Sequence, residues 1–345
     1  MPTEPAIIAV DAMGGDHGPT VVVGGAVAAA RRFSVGIRLY GDKSALDIAL
    51  GQHDLAGLHV EPVPTVDTIG MDEHPTQAVR RKPESSLMRS IRAVQDGEAG
   101  AMVSAGNSGA VMAGALMNLG RVKGIDRPAI ASHMPSKAGR ALVLDLGAVT
   151  DPKPAHMVQF AIMGQTYARY VLSVPEPTIG LLSNGEEGSK GNQLTVRVHE
   201  LLQQTPGIDF HGNVEGKDIM LGTTDIVVAD GFTGNIALKT AEGTAAFLLD
   251  ALKSELRASP FRKLGAAMLK PAFREVARRL DYAEIGGAPL LGVDGNTIIA
   301  HGRSNALAVE NAIGVALRSI EQQLPSRIAE RVSEISEQAQ TAQEA

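Results

Sequence analysis

A loop at residues 184–192, with the sequence NGEEGSKGN, combines the residue types of an anion-binding site. It follows a short apolar run at 179–182, and Lys190 is its only cation. Its three glycines recur three residues apart, so the backbone can adopt positive φ and bring its amides close to a bound group. The loop favours an anion site that includes Lys190, Glu186 and Asn192. A solvated surface turn opened by the Asn-Gly pair is the alternative interpretation.

The same layout, in which an apolar run ends in a polar loop with glycine before a helix, occurs at three other places. Ligands of open α/β sheets bind at the carboxyl ends of strands, so these loops are expected to contribute to one site. For the loop at 11–18 taken alone, the alternative is a helix cap at Asp16. The candidate substrate-binding residues are Asp11, Gly14, Gly15, Asp16, His17, Ser104, Asn107, Ser108, Gly109, Asp230 and Thr233, and Asn235 closes the last loop.

The elements that must position these loops alternate between strands and helices. Short apolar runs predict strands at 6–10, 36–41, 58–63, 101–103, 141–146, 179–182, 208–211 and 225–229. Helical patterns occupy 19–32, 153–170 and 193–202, and two runs at 290–293 and 297–301 predict a β-hairpin. The alternation predicts a doubly wound, three-layer α/β/α fold with a Rossmann-like sheet.

The length of 345 residues suits one large α/β unit, residues 1–325, in which two lobes can divide near residue 150. The remaining tail, 326–345, is polar. Its apolar residues support only a turn or two of helix, and these are Ile328, Val332 and Ile335.

Composition argues against several classes of protein. Cysteine is absent, which removes disulfides, thiolate metal sites and a cysteine nucleophile and is compatible with a reducing cytoplasm. The net charge of -6 argues against a nucleic-acid binder, for which a basic domain is expected. The N-terminus leads directly into a strand, so the protein is expected to start inside the cell. Residues 99–120 carry no charge, but their five glycines and polar residues argue against a membrane span.

Several familiar catalytic motifs are missing from the sequence. No two glycines are separated by a single residue, so the dinucleotide fingerprint G-x-G-x-x-G is absent. The single Gly-Lys pair lacks the upstream glycine of a phosphate-binding P-loop, and there is no G-x-S-x-G elbow. The nine histidines form no zinc motif, so no metal and no cofactor are expected. For Asp11, Asp145 and Asp230, capping or turn roles are favoured over magnesium binding.

Two segments are basic although the chain is acidic. In residues 71–95, five cations form a local basic face, which suggests an anionic partner or a solvated helix face. In residues 251–280, eight Lys or Arg residues accompany two Glu, and apolar residues recur every three to five positions. The pattern predicts a basic amphipathic helical pair at 251–282 that lies on an anionic membrane or packs on a partner subunit. The predicted contact residues are Phe261, Leu264, Met268 and Phe273.

Six motifs in order carry a resemblance to a known family. They are MGGDHGP at 13–19, MDEHPTQAVRRKPESS at 71–86, SAGNSGA at 104–110, NGEEGSKGN at 184–192, GNVEGKDI at 212–219 and DGFTGNIALKTAEG at 230–243. Together they closely resemble the bacterial phosphate acyltransferases, over residues 6 to 320. The chain departs from the family's usual pattern at Ser108, where threonine is usual, and in the sequences LLSNGEE and GAVTD, where LLNIGEE and GANVD are usual.

The resemblance implies transfer of a fatty acyl group from acyl carrier protein to inorganic phosphate. The acyl phosphate would then feed a membrane glycerol-3-phosphate acyltransferase in phospholipid synthesis. The resemblance also implies a fold akin to the phosphotransacetylases and the isocitrate dehydrogenase-like group, and a homodimer. Together with the basic amphipathic segment, it predicts a cytoplasmic protein associated peripherally with a membrane surface.

Such a reaction requires no nucleophilic side chain. Phosphate already carries a deprotonated oxygen, and the thiolate of a thioester leaves readily. Lys190 and Asn235 are the candidates for neutralising phosphate and stabilising the oxyanion, and the resemblance points to the same positions; His17 is a candidate for protonating the leaving thiolate. Two alternatives remain open at this stage, a phosphotransacetylase that uses acyl-coenzyme A and a membrane-recruited scaffold without activity.

Overall fold

The structure, a computed structural model, describes residues 5–280 and 286–344 and contains two β-sheets. The strands of the first sheet are β1 (Ile7–Asp11), β2 (Gly36–Gly41), β3 (Val60–Pro64), β4 (Ala101–Ser104), β5 (Ala129–Ile130), β11 (Ala288–Leu291) and β12 (Asn296–Ile299). Those of the second are β6 (Ser132–Ser136), β7 (Gly139–Leu144), β8 (Ile179–Leu182), β9 (Phe210–Val214) and β10 (Ile226–Val228). The strand orders are β3-β2-β1-β4-β12-β11-β5 and β6-β7-β10-β8-β9.

Helices separate most of these strands along the chain. Those before β11 are α1 (Gly18–Phe33), α2 (Lys43–Leu50), α3 (Pro75–Arg81), α4 (Ser86–Gln95), α5 (Ser108–Asn118), α6 (Pro154–Tyr170), α7 (Gln193–Gln204), α8 (Gly216–Leu221), α9 (Gly231–Arg257), α10 (Pro260–Met268) and α11 (Lys270–Leu280). Two more, α12 (Ala306–Glu321) and α13 (Leu324–Glu344), follow β12.

The first sheet is covered by helices on both faces, which confirms the three-layer prediction. Successive residues of a strand point to opposite faces. Ile8 and Val10 pack with residues of α1 and α12, whereas Ala9 packs with residues of α4 and α5. Burial on both faces explains why β1 is an unbroken apolar run rather than an alternating one.

The parallel register brings the ends of neighbouring strands together at the carboxyl edge of each sheet. In the first sheet Asp11 of β1 lies opposite Ser104 of β4, and Ile299 of β12 also lies opposite Ser104. In the second sheet β10 lies between β7 and β8, with Val228 opposite both Leu144 and Leu181. The polar loops singled out in the sequence therefore leave these two edges. The chain passes from the first sheet to the second between β5 and β6 and returns at β11.

The predicted hairpin is confirmed, because β11 and β12 pair antiparallel around residues 292–295. Residues 99–120 form β4 and α5. Among the described residues, no helix combines the length and the apolar character needed to cross a bilayer.

The C-terminal segment is more ordered than the sequence suggested. Where a turn or two of helix was expected, α13 is a 21-residue helix that packs on α6. The physical reason is a stripe of apolar residues at helical spacing, which is buried in the core of the second sheet although the helix is polar elsewhere. The stripe consists of Leu324, Ile328, Val332 and Ile335.

Of the segment predicted at 251–282 as an amphipathic helical pair, residues 251–257 form the end of α9, α10 and α11 form the pair, and the last two residues lie outside the described part of the chain. These helices protrude at the end of the long α9, in which only Gly231 and Gly234 are buried. No residue of α10 is buried, and the Phe261 side chain is 88% exposed. Leu264 and Met268 are also exposed, whereas Phe273 is half-buried.

Candidate functional site

A buried carboxylate organises the loops at the carboxyl edge of the first sheet. The Ser104 hydroxyl donates to Asp11 Oδ2 at 2.7 Å and accepts the Gly106 amide at 3.0 Å. The Met13 amide donates to Asp11 Oδ1 at 3.3 Å. Burial raises the pKa of the Asp11 carboxyl, and these hydrogen bonds offset part of that effect. Asp11 and Ser104 therefore connect the loops at 11–18 and 104–109 through buried hydrogen bonds, and their side chains are not open to solvent.

Glycines let the same loops approach each other. A Cβ built on Gly14 would lie 2.5 Å from the Gly106 nitrogen, and one on Gly109 would lie 2.6 Å from a carbon of Pro75. Gly15 has a φ of +97°, a conformation that favours glycine. Asn107 caps α5 by accepting the Ala110 amide at 3.1 Å. The structure therefore brings the predicted residues of these two loops together.

The loop at 71–75 and the loop after β12 complete this edge. The Asn107 side-chain amide donates to the carbonyls of Met71 and Glu73 at 3.1 and 3.0 Å. The Asp16 amide donates to the Gly302 carbonyl at 2.7 Å. The helix cap of α1 is His17 rather than Asp16, and the His17 side chain forms no capping hydrogen bond. The side chains of Asp16, His17 and Ser108 are exposed.

Asp145 plays the corresponding part at the edge of the second sheet. Its Oδ1 accepts the amides of Ile130, Gly147 and Ala148 at 2.9, 3.1 and 3.0 Å, and its Oδ2 accepts the Val149 amide at 2.6 Å. Burial raises the pKa of the Asp145 carboxyl despite these four donors. Because Ile130 belongs to the first sheet, one side chain joins the two sheets. Asp145 thus has a turn role, and Asp230 caps α9 by accepting the Thr233 amide at 2.9 Å.

The start of α9 lies directly against Asp145. A Cβ on Gly231 would lie 2.6 Å from Asp145 Oδ2, and one on Gly234 would overlap the Asp145 carbonyl oxygen. The close approach brings the next residue, Asn235, beside Gly147, whose own Cβ would lie 3.8 Å from the Asn235 side chain. Two glycines in the first turn of α9 thus set the position of Asn235.

Lys190 lies in the loop that leaves β8, the strand next to β10. A Cβ on Gly185 would lie 2.7 Å from Lys190 Cγ, so the lysine stem packs in the space left by that glycine. The side chain is exposed, and it forms no ion pair with any residue that the structure describes. Asn192 caps α7 by accepting the Thr195 amide at 2.9 Å. The segments that carry Lys190 and Asn235 therefore follow neighbouring strands, β8 and β10, at the carboxyl edge of the second sheet.

Charged residues of α9 that follow Asn235 lie near the loop after β12 of the first sheet. Lys239 and Glu242 lie one and two turns further along the same face of α9 and form an ion pair at 2.9 Å. The pKa of His301, in the loop after β12, is lowered mainly by burial and then by the positive charge of Lys239, while Glu242 and Asp16 act in the opposite direction. The face of α9 that carries Asn235 and Lys239 thus lies toward the first-sheet loop that carries His301.

The sequence analysis missed Lys239 and His301 as residues of the candidate site. His301 follows an apolar strand in the layout used to find the other loops, with Gly302 next and a helix cap at Asn305, which accepts the Ala308 amide at 2.9 Å. Applying the layout to residues 297–306 would have found it. Lys239 could have been found from its spacing of four residues from Asn235 on one helix.

Within the described residues, one group of three carboxylates, Glu186, Glu215 and Asp218, brings oxygen atoms within 4.8 Å of one another. Lys217 already compensates it, with Nζ 3.3 Å from Glu186 and 2.5 Å from Glu215. Glu186 therefore pairs with a lysine rather than lying free in the loop.

The basic face at 80–92 is largely neutralised. Lys82 pairs with Glu73 at 2.7 Å, and Arg89 and Arg92 both pair with Glu84. Among its cations, Arg80 and Arg81 are exposed and form no ion pair in the part of the chain that is described.

The fold and the placement of the loops define a class of α/β/α protein shared with solved phosphotransacetylases. A phosphotransacetylase from Streptococcus pyogenes superposes with a TM-score of 0.62 at 15% identity, over 92% of this chain and 94% of that chain. The EutD phosphotransacetylase from Staphylococcus aureus gives 0.61 at 15% identity over the same shares. At this identity the similarity concerns the fold alone, and it confirms the fold predicted from the sequence.

Sequence relatives identify the family. The family model described as "Fatty acid synthesis protein" matches residues 6–327. The phosphate acyltransferase of Pelotomaculum thermopropionicum is 49% identical over 328 residues, 95% of each chain, and that of Geobacter sulfurreducens is 48% identical over 325 residues, 94% of each chain. The chain belongs to the phosphate acyltransferase family and is an acyltransferase, as the motif resemblance predicted.

The close approach of α9 to Asp145 leads to a prediction with an internal control. Gly234→Ala should lower the melting temperature and acyltransferase activity, because the added methyl group meets backbone; overpacking of this kind costs about 1–3 kcal/mol. Gly265→Ala, in α10 and with no atom within 4 Å of the new Cβ, should raise stability by roughly 0.5–1 kcal/mol. Thermal denaturation of both variants checks this, and equal melting temperatures would show that the close approach is unimportant.

Proposed function

We propose that this chain transfers a fatty acyl group from the thioester of acyl carrier protein to inorganic phosphate, producing acyl phosphate. The single observation that carries the proposal is the placement of Lys190. It is a cation without an ion pair among the described residues, in a glycine-bearing loop on the strand next to the one that leads into Asn235. Exposed lysines without carboxylate partners bind phosphate as point charges.

The reaction needs no group beyond the two substrates. A phosphate oxygen attacks the thioester carbonyl carbon, the tetrahedral intermediate collapses, and the C–S bond breaks. One acyl–oxygen bond forms as one acyl–sulfur bond is lost. The proton of hydrogen phosphate passes to the departing thiolate, so the charge on the phosphate group is the same before and after.

Lys190 would neutralise phosphate, and the Asn235 side-chain amide would donate to the carbonyl oxygen as negative charge develops on it. A positioned donor of this kind is worth about 3–4 kcal/mol in the transition state. The backbone amides of the loops at 14–18 and 106–109 would hold the other phosphate oxygens. His17 is exposed at the start of α1 and would protonate the leaving thiolate, taking up the proton of hydrogen phosphate in exchange.

Lys190→Ala and Asn235→Ala should each lower kcat/KM by roughly 100- to 1,000-fold, since each removes one group that stabilises the transition state. Lys137→Ala is the matched control, because Lys137 is exposed in the turn between β6 and β7, at the opposite edge of the same sheet. The assay follows phosphate-dependent release of free carrier thiol from acyl carrier protein thioester. Near-normal turnover by either site variant would refute the assignment.

The choice of carrier protein over coenzyme A rests on the family's description as a fatty acid synthesis protein. Arg80 and Arg81 supply cations for an acidic carrier. Acyl-coenzyme A tested beside the carrier thioester in the same assay separates the two donors, and equal kcat/KM for both would favour the phosphotransacetylase alternative. Absence of phosphate-dependent turnover with either donor would favour a scaffold.

We also propose that α10 and α11 meet an anionic membrane surface, where a membrane glycerol-3-phosphate acyltransferase would receive the acyl phosphate. Support comes from the exposure of Phe261 (88%) and Met268 (79%) on helices that carry Lys263 and Lys270. Apolar residues beside exposed lysines suit the interface of anionic lipids.

Phe261→Asp and Leu264→Asp should each reduce recovery of the protein with anionic vesicles in a flotation assay by several-fold, because a charge replaces an apolar contact. Neither residue is buried, so the fold should be unaffected. Ile48→Asp, which changes an apolar residue on α2 that is about as exposed as Leu264, is the control. Unchanged flotation of both helix variants would count against lipid contact.

The homodimer implied by the resemblance is proposed to pack along α9. Phe232, Ile236 and Phe247 are exposed on one side of that helix, while Leu238 and Ala241 on the other side pack against the second sheet. An exposed apolar stripe of this kind is typical of a protein interface.

Phe247→Asp should convert the dimer into a monomer in sedimentation velocity, since a buried unpaired charge at an interface is strongly unfavourable. Ile48→Asp again serves as control and should sediment like the unchanged protein. A dimeric Phe247→Asp variant would place the interface elsewhere.

A further inference from the structure

A buried polar pair lies behind the loop that carries Lys190. His199, on α7, is 9% exposed, and Asn213, on β9, is 4% exposed. The His199 ring nitrogen Nδ1 lies 2.9 Å from Asn213 Oδ1, and the Asn213 side-chain amide donates to the Glu187 carbonyl at 2.9 Å. The Lys190 amide donates to that same carbonyl at 2.9 Å. A chain of hydrogen bonds therefore runs from a helix, through a strand, to the backbone of Lys190.

The partners determine which atom donates in the hydrogen bond between His199 and Asn213. The Asn213 amide nitrogen donates to Glu187, so its oxygen is the atom that faces the imidazole. An amide oxygen only accepts, so His199 Nδ1 must carry the proton. His199 is held in turn by Phe210, whose ring lies edge-on at 5.2 Å. The hydrogen bond to Asn213 and the contact with Phe210 thus fix the orientation of the imidazole.

The Lys190 loop needs such an external support. Residues 183–192 form no strand or helix, and three glycines give the backbone more freedom than any other residue type would. Gly188 lies directly over the imidazole, with a built Cβ 2.7 Å from His199 Nε2. An apolar pair would fill the same space, but it could not hold the Glu187 carbonyl; burying two polar side chains is favourable only when their hydrogen bonds are made.

We propose that Asn213 and His199 are positioning residues that fix the Glu187 carbonyl, and through it the Lys190 backbone, so that the lysine is presented to phosphate. The inference rests on the proposed role of Lys190. It assigns a purpose to the GNVEGKDI motif at 212–219, which the proposed reaction otherwise leaves unused.

The effect should appear in the use of phosphate. A misplacement of about 1 Å in a reacting site can cost roughly 100-fold in rate. Asn213→Ala should therefore lower kcat/KM for phosphate by about 10- to 100-fold and raise its KM, with the KM for the acyl thioester unchanged. A merely structural defect would reduce the amount of active enzyme and would leave both KM values unchanged.

The decisive experiment is a double-mutant cycle between Asn213→Ala and Lys190→Ala. If Asn213 acts through Lys190, adding Asn213→Ala to Lys190→Ala should change kcat/KM by less than about twofold, because residues that act as a unit are strongly non-additive. A further 10-fold loss in the Lys190→Ala background would overturn the inference. So would normal phosphate kinetics of Asn213→Ala alone, and that result would leave the role of Lys190 intact. Near-normal activity of Lys190→Ala would instead refute the proposed function.

Gly188→Ala tests the same support from the loop side, in case Asn213→Ala fails to fold. Its methyl group should displace the loop from His199 and raise the KM for phosphate in the same way. Thr166→Val is the matched control for Asn213→Ala. Thr166 is buried to a similar degree, and its hydroxyl donates to the Ile162 carbonyl within its own helix. A Gly188→Ala enzyme with normal phosphate kinetics would contradict the inference.

Discussion

The set of hydrogen bonds accepted by the Asp145 carboxylate is the constraint on which the site depends. The side chain is fully buried, and burial disfavours its charge, so its oxygens are satisfied only when four backbone amides converge on them. One of these amides belongs to the first sheet and three to the loop at 147–149. Because α9 also begins against this carboxylate, the edges of both sheets and the helix that carries Asn235 are positioned by one group.

The rest of the site follows from glycine at close approaches and from neighbouring strand ends. Gly231 and Gly234 allow α9 to contact Asp145, and Gly14 and Gly106 allow two loops of the first sheet to meet. In the proposed reaction, phosphate and thioester need orientation and charge neutralisation rather than a nucleophile. Backbone amides and a few polar side chains held by buried hydrogen bonds can supply both.

Outside the candidate site, the surface includes a region of paired charges and a region of exposed apolar residues. The cations at 82–92 pair with Glu73 and Glu84, and such exposed pairs usually add little to stability. Several apolar residues of α9 and α10 are exposed instead, with Phe247 71% and Phe261 88% accessible. A monomer with such a surface would expose a large apolar patch, which usually marks an interaction site. The proposed contacts with a second copy and with lipid each cover a different part of it.

The amino-acid sequence by itself determined the order of strands, loops and helices, the family, and which loops carry polar residues, because these features depend on local periodicity and on motifs of a few residues. Only the tertiary structure decided which distant residues meet. Lys82 is neutralised by Glu73, His301 faces Asp16 and Lys239, His199 reaches Asn213, and α13 is a full helix because its apolar stripe finds α6. Each of these depends on how the two sheets and their helices pack, and residue spacing along the chain does not specify contacts between elements that fold together from far apart.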